Sequence, residues 1–162
     1  MPSGWPQQVK GTTLIWCMNG YTKMTLQFNF LGSVLFYAKW LASTSPGNDA
    51  NLVYEWVHEN VGNGYDKTTG IFTVPVAGTY SFNVQHCSNQ YKHAFIVLVI
   101  NDEDENGMLA YGDSYTCRSF TYPATLKVGD TVRVKVDRFS NLGEIFYQNT
   151  GNINAFSGVL LG

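Results

Sequence analysis

Between positions 102 and 113 the chain spaces its side-chain oxygens as a hard cation would need them. Asp102, Asp104 and Asn106 alternate, Gly107 permits a sharp turn, and Asp113 stands at the twelfth place. Alternate oxygen side chains converging on one point suit calcium, which takes about six to eight such ligands. The closing glutamate of a helix-loop-helix hand is replaced by aspartate, and the flanks AFIVLVI and MLAYGD read as strands. A solvated hairpin tip, charged against edge-to-edge pairing, explains the same residues.

Two further groups could hold a ligand. Arg118, Arg133, Lys135 and Arg138 lie on or near late strands, with Arg133 and Lys135 on one outward face. A guanidinium fork matches a planar oxyanion, so such a face could take an acidic sugar or a phosphate, although a solvated outer face accounts for it equally. Tyr91, Tyr115 and Tyr147 fall in predicted loops, where flat amphipathic rings stack on sugars or anchor the loops themselves. Catalysis finds no footing. There is no G-x-S-x-G elbow, no H-E-x-x-H pair and no phosphate-cradling glycine loop, and His58, His86 and His93 lack a partner spacing for general-base work. His86 and Cys87 are neighbours on a predicted strand, point to opposite faces, and cannot readily share a metal.

Composition bounds what can carry these groups. The 162 residues suffice for one well-cored domain with an appendage. Aromatics reach 15% and charged residues only 14%, a compact globule rather than a disordered or coiled-coil chain. The net charge of -2 offers no basic field for nucleic acid or an anionic membrane. The longest apolar run, AFIVLVI, is far below the roughly 20 residues that span a bilayer. The first 30 residues do not read as a signal peptide; if the protein is secreted, its leader lies outside this sequence.

Cys17, Cys87 and Cys117 are an odd count at no zinc spacing. One pair with one thiol left over is the simplest reading. Cys87 ends one predicted strand and Cys117 begins another, so they can bridge if the topology makes those strands neighbours; three buried free thiols in an intracellular protein remain the alternative.

The elements that position these residues are strands throughout. Met24, Leu26, Phe28 and Phe30 alternate with polar neighbours, as do Phe72, Val74 and Val76, then Tyr80, Phe82 and Val84, then Val132, Val134 and Val136. Turn-forming clusters stand between them: STSPGND, GNGYDKTTG, NDEDENG, KVGD and NTGN. No window carries a helical stripe. Short strands at this spacing form two stacked sheets. AFIVLVI is apolar on both faces, which predicts burial against the core on one side and against another subunit on the other, or else cover by a loop of the same chain.

The ordered positions Tyr54, Asn60, Tyr65, Phe72, Gly78, Tyr80 and Phe82 resemble the signature of the complement C1q globular head domain. VLFYAKWLAS at 34–43 is similar to that family's opening strand, LKVGDTVRVKV at 126–136 to its late strand, and AFSGVLL at 155–161, with Phe156 and Gly158, to its closing strand. Tyr54 stands where the family usually has Phe, and Val84 where it has a second aromatic; both stay apolar and inward. The likeness covers 33–162, leaving 1–32 as an N-terminal extension with a possible extra strand and no collagen repeat.

This resemblance implies an all-β, ten-stranded jelly-roll sandwich of the C1q/tumour necrosis factor kind, assembling as a homotrimer. It implies an extracellular binding protein rather than an enzyme, with microbial polysaccharides or glycans as lectin-like ligands and a role in innate immunity. Some members bind calcium in the head. A cytokine-like trimeric ligand that clusters a receptor, and a structural matrix node, are the competing roles.

Overall fold

The computed structural model describes residues 32–111, 114–139 and 145–162. The alternating stretch from Met24 to Phe30, Cys17 and Asp113 lie outside the described residues, and so does the side chain of Arg138. The described residues hold ten strands: β1 (Leu35–Leu41), β2 (Tyr54–Val61), β3 (Tyr65–Asp66), β4 (Ile71–Thr73), β5 (Gly78–Ser88), β6 (His93–Ile100), β7 (Glu103–Tyr111), β8 (Thr116–Leu126), β9 (Thr131–Phe139) and β10 (Ala155–Leu160). They form two five-stranded sheets, β2-β1-β10-β5-β8 and β3-β4-β9-β6-β7, with every strand pair antiparallel. Neighbours in a sheet are often distant in sequence, the mark of a jelly roll.

Aromatic rings fill the space between the sheets. Phe36 stacks on Phe72 at 4.7 Å and on Tyr65 at 5.1 Å, and meets Phe156 edge-on at 4.8 Å between ring centroids. Each fully buried Phe contributes about 2–3 kcal/mol of hydrophobic stabilisation. Gly158 pairs with Phe36 on one side and Phe82 on the other. A Cβ there would stand 2.5 Å from Phe36 Cε1 and 2.7 Å from Phe82 Cδ1, so only glycine lets the two rings close over β10. Asn60 fixes the turn before β3 by donating to Tyr65 O at 2.9 Å and accepting from Tyr65 N at 3.1 Å. The Tyr65 hydroxyl then donates to Tyr54 O at 3.1 Å, and the Tyr80 hydroxyl to Val76 O at 2.6 Å.

Three expectations change. The strand through Phe72 ends at Thr73; Val74 leaves the ladder and donates to Asp130 O at 2.8 Å, just before Pro75, which has no N–H to offer. NDEDENG is not one long turn. Asn101 and Asp102 alone reverse the chain at φ 48° and 70°, the left-handed pair a two-residue hairpin requires, and β7 begins at Glu103. On the outward face of AFIVLVI, Val97 and Val99 are already 4% and 0% exposed within one chain. They lie in register with Lys135 and Arg133 on the neighbouring strand β9. Phe95, 39% exposed, is the residue of that face left open.

Candidate functional site

One end of the sandwich gathers the finish of β5, the start of β8 and the segment 145–154. Cys87 and Cys117 sit directly opposite each other on β5 and β8 and are joined by a disulfide, with Cα atoms 3.8 Å apart. The segment 145–154 docks beside this bridge because Ile145 and Phe146 are buried anchors and its backbone pairs with the strand end. Asn89 N donates to Ile145 O at 2.8 Å, and Tyr147 N to Cys87 O at 2.9 Å. Gln148 clamps the end of β1, accepting from Leu41 N at 2.9 Å and donating to Leu41 O at 3.0 Å. Asn154, fully buried, accepts from Cys87 N at 2.8 Å and donates to Tyr147 O at 3.0 Å.

Held this way, Tyr147 meets Tyr115, two residues before the bridged Cys117, with ring centroids 4.2 Å apart and planes inclined at 35°. Tyr115 is 51% exposed and Tyr147 half-buried. Asn149 donates to the Tyr147 hydroxyl at 2.9 Å, while its carbonyl oxygen accepts from Gly151 N at 2.9 Å and Asn152 N at 2.8 Å. The arrangement is a pre-formed aromatic ledge with an amide rim. It can stack on a flat apolar face and donate hydrogen bonds along one edge.

Below the ledge, His86 is buried, with Nε2 sharing a 2.6 Å hydrogen bond with the Tyr54 hydroxyl. Its Nδ1 is buried without a hydrogen-bond partner, and Phe146 packs 4.8 Å from the ring. Burial pushes His86 down to about 3, against a smaller opposing contact with the Asn154 side chain, so it is neutral at physiological pH. Burial, and secondarily Tyr65, pushes Tyr54 well above the usual phenol range. This pair supports the loop from inside the core and meets no solvent.

Arg133 and Lys135 share the outer face of the other sheet, and each meets an aspartate of the 102–104 segment. Arg133 Nη1 lies 2.6 Å from Asp102, and its Nε donates to Asn51 at 3.0 Å. Lys135 Nζ lies 2.9 Å from Asp104 and 3.6 Å from Asp49; its hydrogen bond to Asp104 raises its pKa, partly opposed by burial. A bulge opposite Leu98 and Val99 sets Asn106 against Leu98 and Asp104 against Val99, turning these two to opposite faces. Asn106 Oδ1 accepts from Gly107 N at 2.9 Å. The oxygens read as one loop of ligands therefore face separate partners, and among the described residues no three His, Cys, Asp or Glu side chains gather as a metal site.

Of the remaining candidates, Arg118 is exposed on β8 opposite His86, and Tyr91 is exposed in the β5–β6 turn at φ 57°. Gln148, Asn149, Asn152 and Asn154 were not among the sequence candidates. Their only sequence signal is NTGN, which marks a turn. No helix among the described residues is long and apolar enough to cross a membrane.

Comparison with known proteins places this geometry in a family. The C1q domain model matches residues 35–161. Among solved structures, the globular domain of zebrafish complement 1qA protein superposes with a TM-score of 0.63 at 17% identity, over 80% of this chain and 98% of that one. Murine APRIL at pH 8.0 gives a TM-score of 0.58 at 16% identity, over 80% and 98%. At such identities these two likenesses speak for the fold; the matched family model, spanning β1 to β10, identifies the chain as a member of the C1q domain family.

Proposed function

We propose that this chain is an extracellular, non-enzymatic recognition protein that binds microbial or other glycans as a homotrimer. The observation that carries the reading is the Tyr115–Tyr147 ledge, open to solvent on a disulfide-fastened loop end. Extracellular disulfides persist where a cytosolic one would be reduced, which fits the same setting.

Self-association is supported by a row of exposed apolar side chains across the sheet opposite the ion-paired face. Val61, Leu35 and Val159 lie in register on β2, β1 and β10, and Trp56 stands exposed nearby with Lys39 Nζ 4.4 Å over its ring. Three copies presenting three ledges convert weak single contacts into useful avidity. Calcium at Asp102, Asp104, Asn106 and Asp113 would have to displace Arg133 and Lys135 from the first two carboxylates.

A glycan and bacterial-polysaccharide array tests the reading, run with and without chelator. Binding of a defined sugar class supports it. The jelly-roll likeness to murine APRIL fits a receptor-clustering ligand as well, and that role gains if no sugar binds while cells respond.

A further inference from the structure

Resting on the glycan-binding reading, we infer that the Tyr115–Tyr147 ledge is the sugar site and that it takes a neutral pyranose, not an anionic sugar. The exposed ring of Tyr115 is already braced by Tyr147, so stacking a sugar's C–H face on it costs little further side-chain ordering.

The polar edge beside it is rich in uncharged donors. The Asn149 carbonyl oxygen is taken up by Gly151 N, Asn152 N and Asn152 Nδ2, the last at 3.0 Å. The Asn152 side-chain oxygen lies 3.3 Å from Cys117 Sγ, a disulfide sulfur with no proton to donate, so it keeps its capacity to accept. Of the two amide acceptors, that of Asn149 is thus turned into the loop. What remains for a ligand is mostly donors, beside the one acceptor of Asn152: the second amide hydrogen of Asn149, that of Asn152, and the Tyr147 hydroxyl proton, whose oxygen already accepts from Asn149. Uncharged donors around a ring suit the hydroxyl, ring or acetamido oxygens of a neutral sugar.

An anionic sugar would call on the cations. Arg133 and Lys135 belong to the other sheet and are held by Asp102, Asp104 and Asp49, and Arg118 already has an interaction within the chain. Arg133 and Lys135, the cations that offered themselves to a carboxylate or phosphate on that face, are thus held by the chain's own carboxylates.

Surface-immobilised mannan and a neutral β-glucan, set against a polyuronate, test the assignment at low and high salt, with wild type, Tyr115→Ala and Tyr147→Phe. The expected result is binding to a neutral polysaccharide that survives high salt and weakens about tenfold in Tyr115→Ala, with a smaller loss in Tyr147→Phe and unchanged oligomeric mass. Full retention of neutral-glycan binding by Tyr115→Ala overturns the site while leaving the glycan reading intact. Binding confined to the polyuronate and lost in high salt overturns the ligand class. Failure to bind either class overturns this inference together with the reading it rests on.

Discussion

The rings of Tyr115 and Tyr147, which come from different loops, lie 4.2 Å apart because Asn154 and the Cys87–Cys117 bridge fasten both loops to the end of β5. The surface that can stack on a ligand is therefore set by groups that never touch one. Each fastening has a separate, measurable consequence.

Asn154→Ala leaves Cys87 N and Tyr147 O without their buried partners. The expected loss is about 2–4 kcal/mol in denaturant unfolding, accompanied by weaker glycan binding. Asn154→Asp keeps the acceptor for Cys87 N but not the donor, and should restore only part of the stability.

Replacing both Cys87 and Cys117 by Ser removes a link spanning 30 residues of sequence. Chain-entropy reasoning gives a loss of about 3–4 kcal/mol, read as a lower Tm without reductant. Adding reductant to the wild type should reproduce the shift, and adding it to the double variant should do nothing.

His86 makes stability fall on mild acidification. Its folded value of about 3 lies below its ordinary 6.5, so between those limits the unfolded chain binds more protons and acid favours unfolding. Stability is fully present above pH 6.5 and declines by about 1.4 kcal/mol per pH unit as pH falls toward 3. Asp66 and Asp130, held low chiefly by backbone hydrogen bonds from Thr68 and Lys127, add their loss only at the acid end. Denaturant curves at pH 7, 6 and 5 check the slope, and His86→Gln should flatten it.

Calcium should leave the melting curve where it is, because Arg133 and Lys135 occupy the carboxylates of Asp102 and Asp104. A rise in Tm on adding calcium, abolished by Asp104→Ala, would show that the ion displaces the cations.

Leu35→Asp places a charge in the exposed apolar row formed with Val61 and Val159. Wild type should sediment near three times the 18.1 kDa of the chain at micromolar concentration, and the variant near one.

How much of this was legible in the sequence depends on how local each relationship is. Phe72, Tyr80 and Phe82 announce themselves because alternation alone sends them inward, Tyr54 was legible only as a signature position, and the core around Phe36 uses all four. Gly158 was legible as a signature position, but its reason, two rings closing over it, needs the register of three strands. The pairing of Asp102 with Arg133 was hidden because it depends on β6 separating β7 from β9 in the sheet. Its acid and base were therefore read as two sites. Val97 and Val99 looked like an intersubunit surface because the alternation does not show that a single chain already buries them, opposite Lys135 and Arg133. Asn149 and Asn154 sit in a turn whose composition marks a turn and nothing more.

The most direct measurement follows the ring protons of Tyr115 and Tyr147 by NMR while a neutral methyl pyranoside is titrated into the protein. The account predicts that these two rings and the side-chain amide signals of Asn149 and Asn152 shift together along one binding curve. Shifts confined to Trp56, or to residues around Arg133 and Lys135, with the Tyr115 and Tyr147 signals unmoved, would contradict it.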